Sequence, residues 1–331
     1  MSEPTIVPTI EDVYAAQRRI AEDIVETPLL CSAVLDEVVK GKVFIKAECL
    51  QATGAFKVRG VYNRLRQLSA SEGRRGVVTY SSGNHGQAIA AAAKRLGIQA
   101  TVLMPSDSVA TKIALTRSHG AEVAFFDREK DDGLVILKEL RPQATFVPPA
   151  NDLNVISGQG TAALEILNQM QELGSRSPDM LLVPCGSGGL TAGCSLVFTS
   201  LCPTAKLFAV EPQNFDDTGR SLVAGRRLAN VLRSGSICDA LTAKIPAPLT
   251  FAINAACGVQ GITVSDSEVL AAMAFAFRHL KLVLEPGGAV ALAAVLSNRI
   301  SVEGKTAAIV CSGGNVEAAL FASAIAAADY T

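Results

Sequence analysis

The sequence has few of the features that mark nucleic-acid-binding, membrane and metal-centred proteins. Its 331 residues carry a net charge of only −1, so no positive field favours nucleic acid or an anionic membrane surface. Only three histidines are present, which disfavours a metal-dependent hydrolase. No apolar run approaches the ~20 residues that a membrane-spanning helix needs. With 49% hydrophobic and 18% charged residues, the chain is instead expected to form a large packed core.

Secretion signals and paired cysteines are also missing. The segment MSEPTIVPTIEDV lacks both a basic region and a long apolar run, so we expect no signal peptide. None of the eight cysteines forms a C-x-x-C pair, and several lie in apolar, strand-like runs. This spacing favours buried free thiols over disulfides or zinc ligands. It predicts a reducing, cytoplasmic location.

Short apolar segments alternate with helical patterns along the chain. The strand-like segments are KVFIKAE, GVVTYS, ATVLMP, AEVAFF, TFVPP, MLLVPC, KLFAVEP and TAAIVCS. The helical segments HGQAIAAAAKRLG and TAALEILNQMQELG end in glycine, the usual left-handed stop. This alternation predicts an α/β protein with parallel sheets covered by helices. We expect a small α/β domain over residues 77–148, inserted into a large domain formed by residues 1–76 and 149–331.

Four glycine-rich segments are interpreted as strand-to-helix turns. They are SSGNHG at 81–86, CGSGGLTAG at 185–193, EPGGA at 285–289 and CSGGN at 311–315. In open parallel sheets, ligands bind at the carboxyl ends of the strands. These turns are therefore the candidate ligand-binding segments.

The segment GSGGL is suited to binding a phosphate, because small residues let backbone N–H groups approach an anion at a helix N-terminus. It is neither a P-loop nor a dinucleotide fingerprint, so the ligand should be smaller than NAD or ATP. Lys57, in TGAFKVRG, lies on the apolar side of a helix start, where an unpaired lysine is unusual. A solvated surface lysine is the alternative. A lysine with a phosphate cradle suggests pyridoxal phosphate, held as a Schiff base and walled by Phe56 and Val58.

Seven segments in order resemble the serine/threonine dehydratase and serine racemase family of fold type II pyridoxal-phosphate enzymes. They are TGAFKVRG, SSGNHGQA, ISGQGTAALEI, PCGSGGLTAG, EPQNFDD, EPGGAVALAA and CSGGN. The resemblance implies a fold like that of the tryptophan synthase β chain, with two open, mostly parallel sheets flanked by helices. It also implies a small hydroxy-amino-acid substrate and a homodimer. The larger domain would bind the cofactor.

The resemblance assigns the catalytic groups. Lys57 would form the Schiff base and then remove the Cα proton, while Ser82 would face the opposite side of the cofactor. Ser82 could instead be a turn hydroxyl, and His85 only a helix-start residue. Asn84 would face the ring hydroxyl of the cofactor. The implied pocket for the substrate carboxylate comprises Ser81, Ser82, Gly83, Asn84 and His85.

The resemblance also assigns the cofactor contacts. Glu285 in the third turn is expected at the cofactor, and Ser312 matches the partner of the pyridine nitrogen. A hydroxyl there cannot keep the nitrogen protonated as an aspartate would, which favours elimination over transamination. The implied phosphate loop comprises Gly186, Ser187, Gly188, Gly189 and Leu190.

The segment EPQNFDD matches a divalent-cation site found in serine racemase-like members. The implied ligands of Mg²⁺ or Ca²⁺ are the carboxylates of Glu211 and Asp217 and the carbonyl oxygen of Phe215. An ordinary acidic loop is the alternative.

The residues expected beside the substrate side chain depart from the family pattern. Gly133 aligns with an arginine of the racemase-like and hydroxyaspartate-acting members, although Arg128 is nearby. Ala150 replaces a polar or aromatic residue. Both changes remove bulk or charge and favour a larger, less polar β-substituent over a second carboxylate.

The leading hypothesis is a dehydratase that converts a β-hydroxy-α-amino acid to a 2-oxo acid and ammonia. A racemase on the same scaffold and a non-catalytic amino-acid sensor are the alternatives. Lys57 and Ser312 argue against the sensor, which needs no imine-forming lysine. No long regulatory segment follows ALFASAIAAADYT, so feedback control by a branched-chain amino acid is not expected.

Overall fold

A computed structural model describes residues 7–81, 83–108, 110–127, 130–232 and 234–327. None of the helices within these ranges combines the length and the apolar character that crossing a bilayer requires. The described residues form ten strands: β1 Leu29–Cys31, β2 Lys42–Lys46, β3 Val77–Tyr80, β4 Ala100–Pro105, β5 Glu122–Phe126, β6 Thr145–Phe146, β7 Met180–Pro184, β8 Lys206–Pro212, β9 Gln260–Val264 and β10 Thr306–Val310.

The strands form two sheets. The first has the order β1-β2-β10-β7-β8-β9 and is parallel except for β1, which runs antiparallel to β2. The second has the order β5-β4-β3-β6 and is parallel throughout. The predicted α/β class with two mostly parallel sheets is therefore confirmed. The four-stranded sheet uses strands from within residues 77–148, and the domain boundaries themselves stay a prediction.

Helices cover both sheets and carry the expected end signals. The helix Asn84–Leu96 ends at Gly97, whose φ of 67° is left-handed, and the helix Asp266–Phe275 begins with a complete capping box at Ser265. The helices are α1 Ile10–Ile20, α2 Ala33–Val39, α3 Lys57–Leu65, α4 Ala70–Arg75, α5 Asn84–Leu96, α6 Ala110–Ser118, α7 Gly133–Leu140, α8 Leu153–Glu172, α9 Gly189–Leu201, α10 Asp217–Ala224, α11 Pro248–Ala256, α12 Asp266–Phe275, α13 Pro286–Leu296 and α14 Ala318–Ala327.

Two details differ from the sequence-based expectation. α8 begins at Leu153 rather than Thr161, because Asp152 caps it by accepting hydrogen bonds from the backbone N–H groups of Asn154 and Val155. The turn at Glu285 does not follow a strand of either sheet; it follows a short segment without helix or strand. That segment is fixed by the backbone N–H of Glu285, which donates to the carbonyl of Gly313 at 3.1 Å.

α8 lies in backbone contact with α3 and α9. A Cβ added to Gly158 would lie 2.6 Å from the Cα of Gly60 in α3, and one added to Gly193 in α9 would lie 2.6 Å from the backbone nitrogen of Gly160. Both distances are shorter than any normal contact, so a side chain at either position would separate the helices. These contacts hold the starts of α3 and α9 beside the same long helix.

A cluster of four buried charges anchors α3. Arg59 is fully buried and donates to both carboxylate oxygens of Glu48, at 2.7 and 2.8 Å, and to both of Glu165, at 2.6 and 2.7 Å. Lys46, also fully buried, lies 2.6 Å from a carboxylate oxygen of Glu165. Two cations thus balance two anions, as burial of charge requires.

The eight cysteines are all unpaired, as predicted. Six are buried, Cys257 is partly buried and Cys31 is exposed. Burial raises the pKa of the Cys49 and Cys238 thiols to about 12, so both stay protonated near neutral pH. These thiols therefore belong to the packed interior.

Candidate active site

A cavity of about 440 Å³ opens where strands of both sheets end. Tyr80 and Ser81 enter it at the end of β3, Phe126 at the end of β5, Gly186 after β7 and Ser312 after β10. This is the edge at which parallel sheets bind ligands. The structure thus brings the predicted glycine-rich turns to one cavity.

Lys57 is the first residue of α3 and lines this cavity. Its Nζ donates to the carbonyl oxygen of Pro149 at 3.1 Å and lies 5.0 Å from the centre of the Phe56 ring. The side chain keeps some surface open to the cavity, but the surrounding protein disfavours its charge. Burial lowers the pKa of Lys57 to about 8, although Glu285 opposes the shift. Its amine is therefore more easily deprotonated than an ordinary lysine.

The predicted phosphate loop forms the start of α9. Gly188 has a φ of 85° and precedes the first helical residue, Gly189. A Cβ on Gly188 would lie 3.0 Å from the Oγ1 of Thr250, whose hydroxyl donates to the carbonyl of Ser187 at 2.6 Å. Gly186, Ser187, Gly188, Gly189 and Leu190 all line the cavity. The N-terminus of a 13-residue helix thus meets the cavity, where its free N–H groups favour an anion.

Asn84 and Glu285 form a polar pair on the cavity wall. The Nδ2 of Asn84, the first residue of α5, donates to Oε1 of Glu285 at 2.5 Å. The Oε2 of Glu285 is buried and finds no hydrogen-bond partner among the described residues. Burial raises the pKa of Glu285 to about 7, although Lys112, Asn84 and Lys57 oppose the shift. A ligand with a polar atom at this place would satisfy the carboxyl group.

His85 lies in the cavity wall as a neutral ring. Burial lowers its pKa to about 3, helped by the charge of Lys57. Its Nε2 lies 3.1 Å from the carbonyl oxygen of Val147, which can only accept, so Nε2 carries the proton. Nδ1 is buried, has no hydrogen-bond partner within the described ranges and is an acceptor. In this form Nδ1 cannot donate a hydrogen bond to a carboxylate. The contact with the substrate carboxylate predicted for His85 therefore cannot be made by this nitrogen.

The other predicted wall residues lie where expected, with one outside the described ranges. Ser81, Gly83 and Ala150 line the cavity, and the backbone N–H of Gly83 donates to the Oγ of Ser81 at 3.1 Å. Ser312 is buried at the end of β10 and also lines the cavity. Ser82 lies outside the described residues.

An ion pair in the cavity wall has no counterpart among the motifs of the sequence. Lys112 of α6 lies 2.5 Å from a carboxylate oxygen of Asp239, and both residues line the cavity. Their contact joins positions 127 residues apart in the chain. Asp239 thus neutralises a cation that could otherwise attract a second substrate carboxylate.

The predicted cation site is a separate acidic place at the end of β8. The Oε1 and Oε2 of Glu211 accept from the backbone N–H groups of Thr218 and Gly219, at 2.9 and 2.8 Å. Asp217 accepts from Asn230 at 2.7 Å, and its buried Oδ2 has no partner in the part of the chain that the structure describes. Burial, reinforced by the charge of Asp217, raises the pKa of Glu211 to about 8. Phe215 is buried close by in the chain, and the cation itself stays a prediction.

The cavity has the groups that pyridoxal phosphate requires. Lys57 offers an amine for its aldehyde, and the start of α9 offers a phosphate cradle without side chains at its three glycines. The buried Oε2 of Glu285 and Nδ1 of His85 have no hydrogen-bond partner among the residues that the structure describes, so both can bind polar atoms of a ligand. The residues therefore fit the cofactor.

Comparison with known proteins identifies the family. A model described as "Pyridoxal-phosphate dependent enzyme" matches residues 20–313. The chain belongs to this family. Pyridoxal phosphate is accordingly its cofactor.

Three relatives of this family member are informative. An L-threonine ammonia-lyase of Thermotoga maritima is 39% identical over 93% of the chain and 76% of its own length. An L-threo-3-hydroxyaspartate ammonia-lyase of Saccharomyces cerevisiae is 37% identical over 97% of both chains. The structure of maize serine racemase matches with a TM-score of 0.89, at 33% identity, covering 97% of this chain and 98% of its own. The predicted resemblance to dehydratases and racemases is confirmed.

Proposed function

We propose that this enzyme is an ammonia-lyase that converts a β-hydroxy-α-amino acid to a 2-oxo acid and ammonia. The β-hydroxyl leaves as water, and one water is consumed when the resulting imine is hydrolysed, so no net water is produced. The observation that carries the proposal is the shared position of Lys57, the start of α9 and Ser312 around one cavity. The relatives named as ammonia-lyases support it.

Bound pyridoxal phosphate supplies an electron-withdrawing group that acidifies the Cα–H of the amino acid joined to it. Lys57 then acts as the base that takes the Cα proton. Its lowered pKa suits this role, because a base works best when its pKa is near the working pH. The carbonyl of Pro149 orients the amine when it is not engaged with the cofactor.

Ser312 directs the reaction toward elimination. We propose that its hydroxyl meets the pyridine nitrogen of the cofactor, as the resemblance implies. A hydroxyl does not hold that nitrogen protonated, so the ring withdraws less charge from Cα than it would beside an aspartate. Rapid loss of a β-hydroxyl is then favoured over reactions that need a long-lived negative charge on Cα.

The cavity wall favours an apolar β-substituent. Tyr80, Pro105 and Phe126 present apolar surface, while the cation of Lys112 is already paired with Asp239. Gly133 lies behind this wall, because a Cβ on it would contact Leu103 at 3.5 Å and Phe126 at 3.6 Å. Arg128 lies outside the described residues. We therefore propose a substrate such as phenylserine, with an aromatic or alkyl group on Cβ.

Phe126→Ala should reduce kcat/KM for phenylserine by about 10- to 100-fold, because burial of an aromatic group is worth ~1.5–3 kcal/mol. Serine, which does not reach this surface, should lose less than about threefold. Phe125→Ala is the matched control, since Phe125 is the neighbouring residue of β5 and is exposed. Equal losses for both substrates, or a similar effect of Phe125→Ala, would show that Phe126 does not contact the β-substituent.

The proposed activity is tested with the stereoisomers of serine, threonine, 3-hydroxyaspartate and phenylserine, each assayed for 2-oxo acid and for inverted amino acid. We expect 2-oxo acid as the main product and phenylserine as the preferred substrate. Racemisation is the second candidate, supported by the serine racemases among the relatives. Inversion without 2-oxo acid would establish it, with Ser82 as the proposed partner of Lys57.

Glu211, Asp217 and the carbonyl of Phe215 are proposed to bind Mg²⁺ or Ca²⁺. A cation at 100 times its Kd should stabilise the fold by about 2.7 kcal/mol and raise the midpoint of thermal unfolding. Glu211→Gln should abolish this rise. Asp216→Asn should retain it, because Asp216 belongs to the same loop but pairs with Arg220 at 3.1 Å. A rise that survives Glu211→Gln would place the cation elsewhere.

The homodimer and the cytoplasmic location also stay predictions.

A further inference from the structure

Asn315 connects the segment before Lys57 with Asn84. Its Nδ2 donates to the carbonyl oxygen of Thr53 at 2.8 Å and to Oδ1 of Asn84 at 2.9 Å. Asn84 in turn donates from its own Nδ2 to Oε1 of Glu285. The four residues come from four segments of the chain, so these hydrogen bonds join α5 of the four-stranded part to three segments around the six-stranded sheet.

The carbonyl oxygen of Thr53 determines which atom donates in each of these hydrogen bonds. A backbone carbonyl can only accept, so Asn315 must present its amide nitrogen to Thr53 rather than its oxygen. The same nitrogen reaches Asn84, which must therefore present its oxygen to Asn315. The nitrogen of Asn84 then faces Glu285. Each amide group thus has a single orientation that satisfies its neighbours.

Asn315 is held tightly enough to impose this orientation. Gly54 has a φ of 71°, and a Cβ on it would lie 2.5 Å from Oδ1 of Asn315. The backbone N–H of Gly314 donates to the carbonyl of Gly54 at 2.8 Å, and Ala55 forms a β-bridge with Gly313. The backbone immediately before Asn315 is therefore fixed against the segment that leads to Lys57.

We infer that Asn315 is a positioning residue that determines which atom Asn84 presents to the cofactor. An NH₂ group carries two hydrogens, and Glu285 accepts one of them. The second hydrogen would donate to the ring hydroxyl oxygen of pyridoxal phosphate, the contact that the resemblance implies for Asn84 and on which this inference rests together with the proposed function. Rotation of the Asn84 amide by half a turn would replace this donor with an acceptor. Asn315 prevents that rotation without needing to touch the cofactor.

The test is Asn315→Asp, a change of nearly constant shape. The new carboxylate has no donor for Thr53 or for Oδ1 of Asn84, so the Asn84 amide should rotate and turn its nitrogen toward position 315. Apo-protein of the full chain is titrated with pyridoxal phosphate and with its 3-deoxy analogue, which lacks the ring hydroxyl. Loss of one buried hydrogen bond predicts a Kd for pyridoxal phosphate that rises about 10- to 100-fold. The Kd for the deoxy analogue should change less than about threefold.

Three further variants make the result decisive. Asn84→Ala should show the same selectivity, and Asn315→Asp in that background should add nothing further. Asn298→Asp, in a turn after α13, is the charge control and should leave both Kd values unchanged. Asn315→Ala removes the donor without adding charge and replaces Asn315→Asp if that variant fails to fold. Its Kd for pyridoxal phosphate should again rise more than its Kd for the deoxy analogue, but by a smaller factor.

The outcomes separate the inference from the proposed function. If Asn84→Ala is selective for pyridoxal phosphate but the Asn315 variants weaken both ligands equally or neither, the inference is wrong and the role of Asn84 stands. If Asn84→Ala weakens both ligands equally, the ring-hydroxyl contact is wrong and the inference fails with it. The lyase proposal itself fails only if no amino acid of the panel yields 2-oxo acid.

Discussion

Lys57→Ala is expected to abolish 2-oxo acid production, with a loss of at least about a thousandfold in kcat. The variant loses both the amine that holds the cofactor aldehyde and the base that takes the Cα proton, and each role alone is worth a large factor. Wild-type protein should be yellow from its bound cofactor, and the colour of this lysine conjugate should be absent in the variant. Both the activity assay and the visible absorption spectrum measure the effect.

Lys57→Arg is the matched variant for this prediction. It keeps a positive charge beside Phe56 and the carbonyl of Pro149, but a guanidinium neither condenses with an aldehyde nor releases a proton near neutral pH. We therefore expect it to be as inactive as Lys57→Ala. Substantial turnover by Lys57→Ala would remove Lys57 from the reaction. Activity restored only by Lys57→Arg would reduce its role to that of a charge.

Arg59→Met is expected to lower the free energy of unfolding by about 3–5 kcal/mol, because it leaves two buried carboxylates facing one buried lysine. Burial alone disfavours the charge of Arg59, but Glu48 and Glu165 raise its pKa above the ordinary value, so the wild-type guanidinium stays charged. The midpoint of thermal unfolding, measured at one fixed concentration of pyridoxal phosphate, should fall by roughly 10 °C.

Arg64→Met provides the comparison on the same helix. Arg64 lies 3.2 Å from Asp152, and the two side chains are 16% and 18% exposed. Partly solvated pairs contribute about 1 kcal/mol or less, so this variant should unfold only slightly below the wild type. Similar midpoints for the two variants would mean that the buried cluster adds no more than a surface ion pair.

The parts of the site that the sequence predicted are those encoded by neighbouring residues. Each of three predicted parts lies in a short segment whose residue types alone indicate its chemistry: Lys57, the turn at 186–190 and Ser312. The same holds for most strands, because alternation of apolar segments and turns is local. β1 and β9 were missed, since LLC is only three residues long and QGITV lies mostly exposed.

The parts that the sequence could not predict depend on contacts between distant segments. Lys112 and Asp239 meet across 127 positions, and Asn315 meets Asn84 across 231. Lys112 lies in a helix without a glycine-rich motif, so nothing in its surroundings distinguishes it from a surface lysine. Asn315 does belong to the quoted segment CSGGN, but its partners become known only when the fold brings Thr53 and Asn84 beside it.

The glycine contacts of α8 constrain the position of the catalytic groups more than they constrain the residues of the cavity wall. α3 begins at the lysine and α9 begins at the phosphate loop, and glycines bring the backbones of both helices into direct contact with α8. A side chain at these glycines would push the helices apart, so the spacing between the amine and the phosphate cradle depends on keeping them. The wall at Tyr80 and Phe126 is instead built from side chains that line the cavity. Over evolutionary time, substrate preference could therefore change through the wall residues while the chemistry at the cofactor was inherited intact.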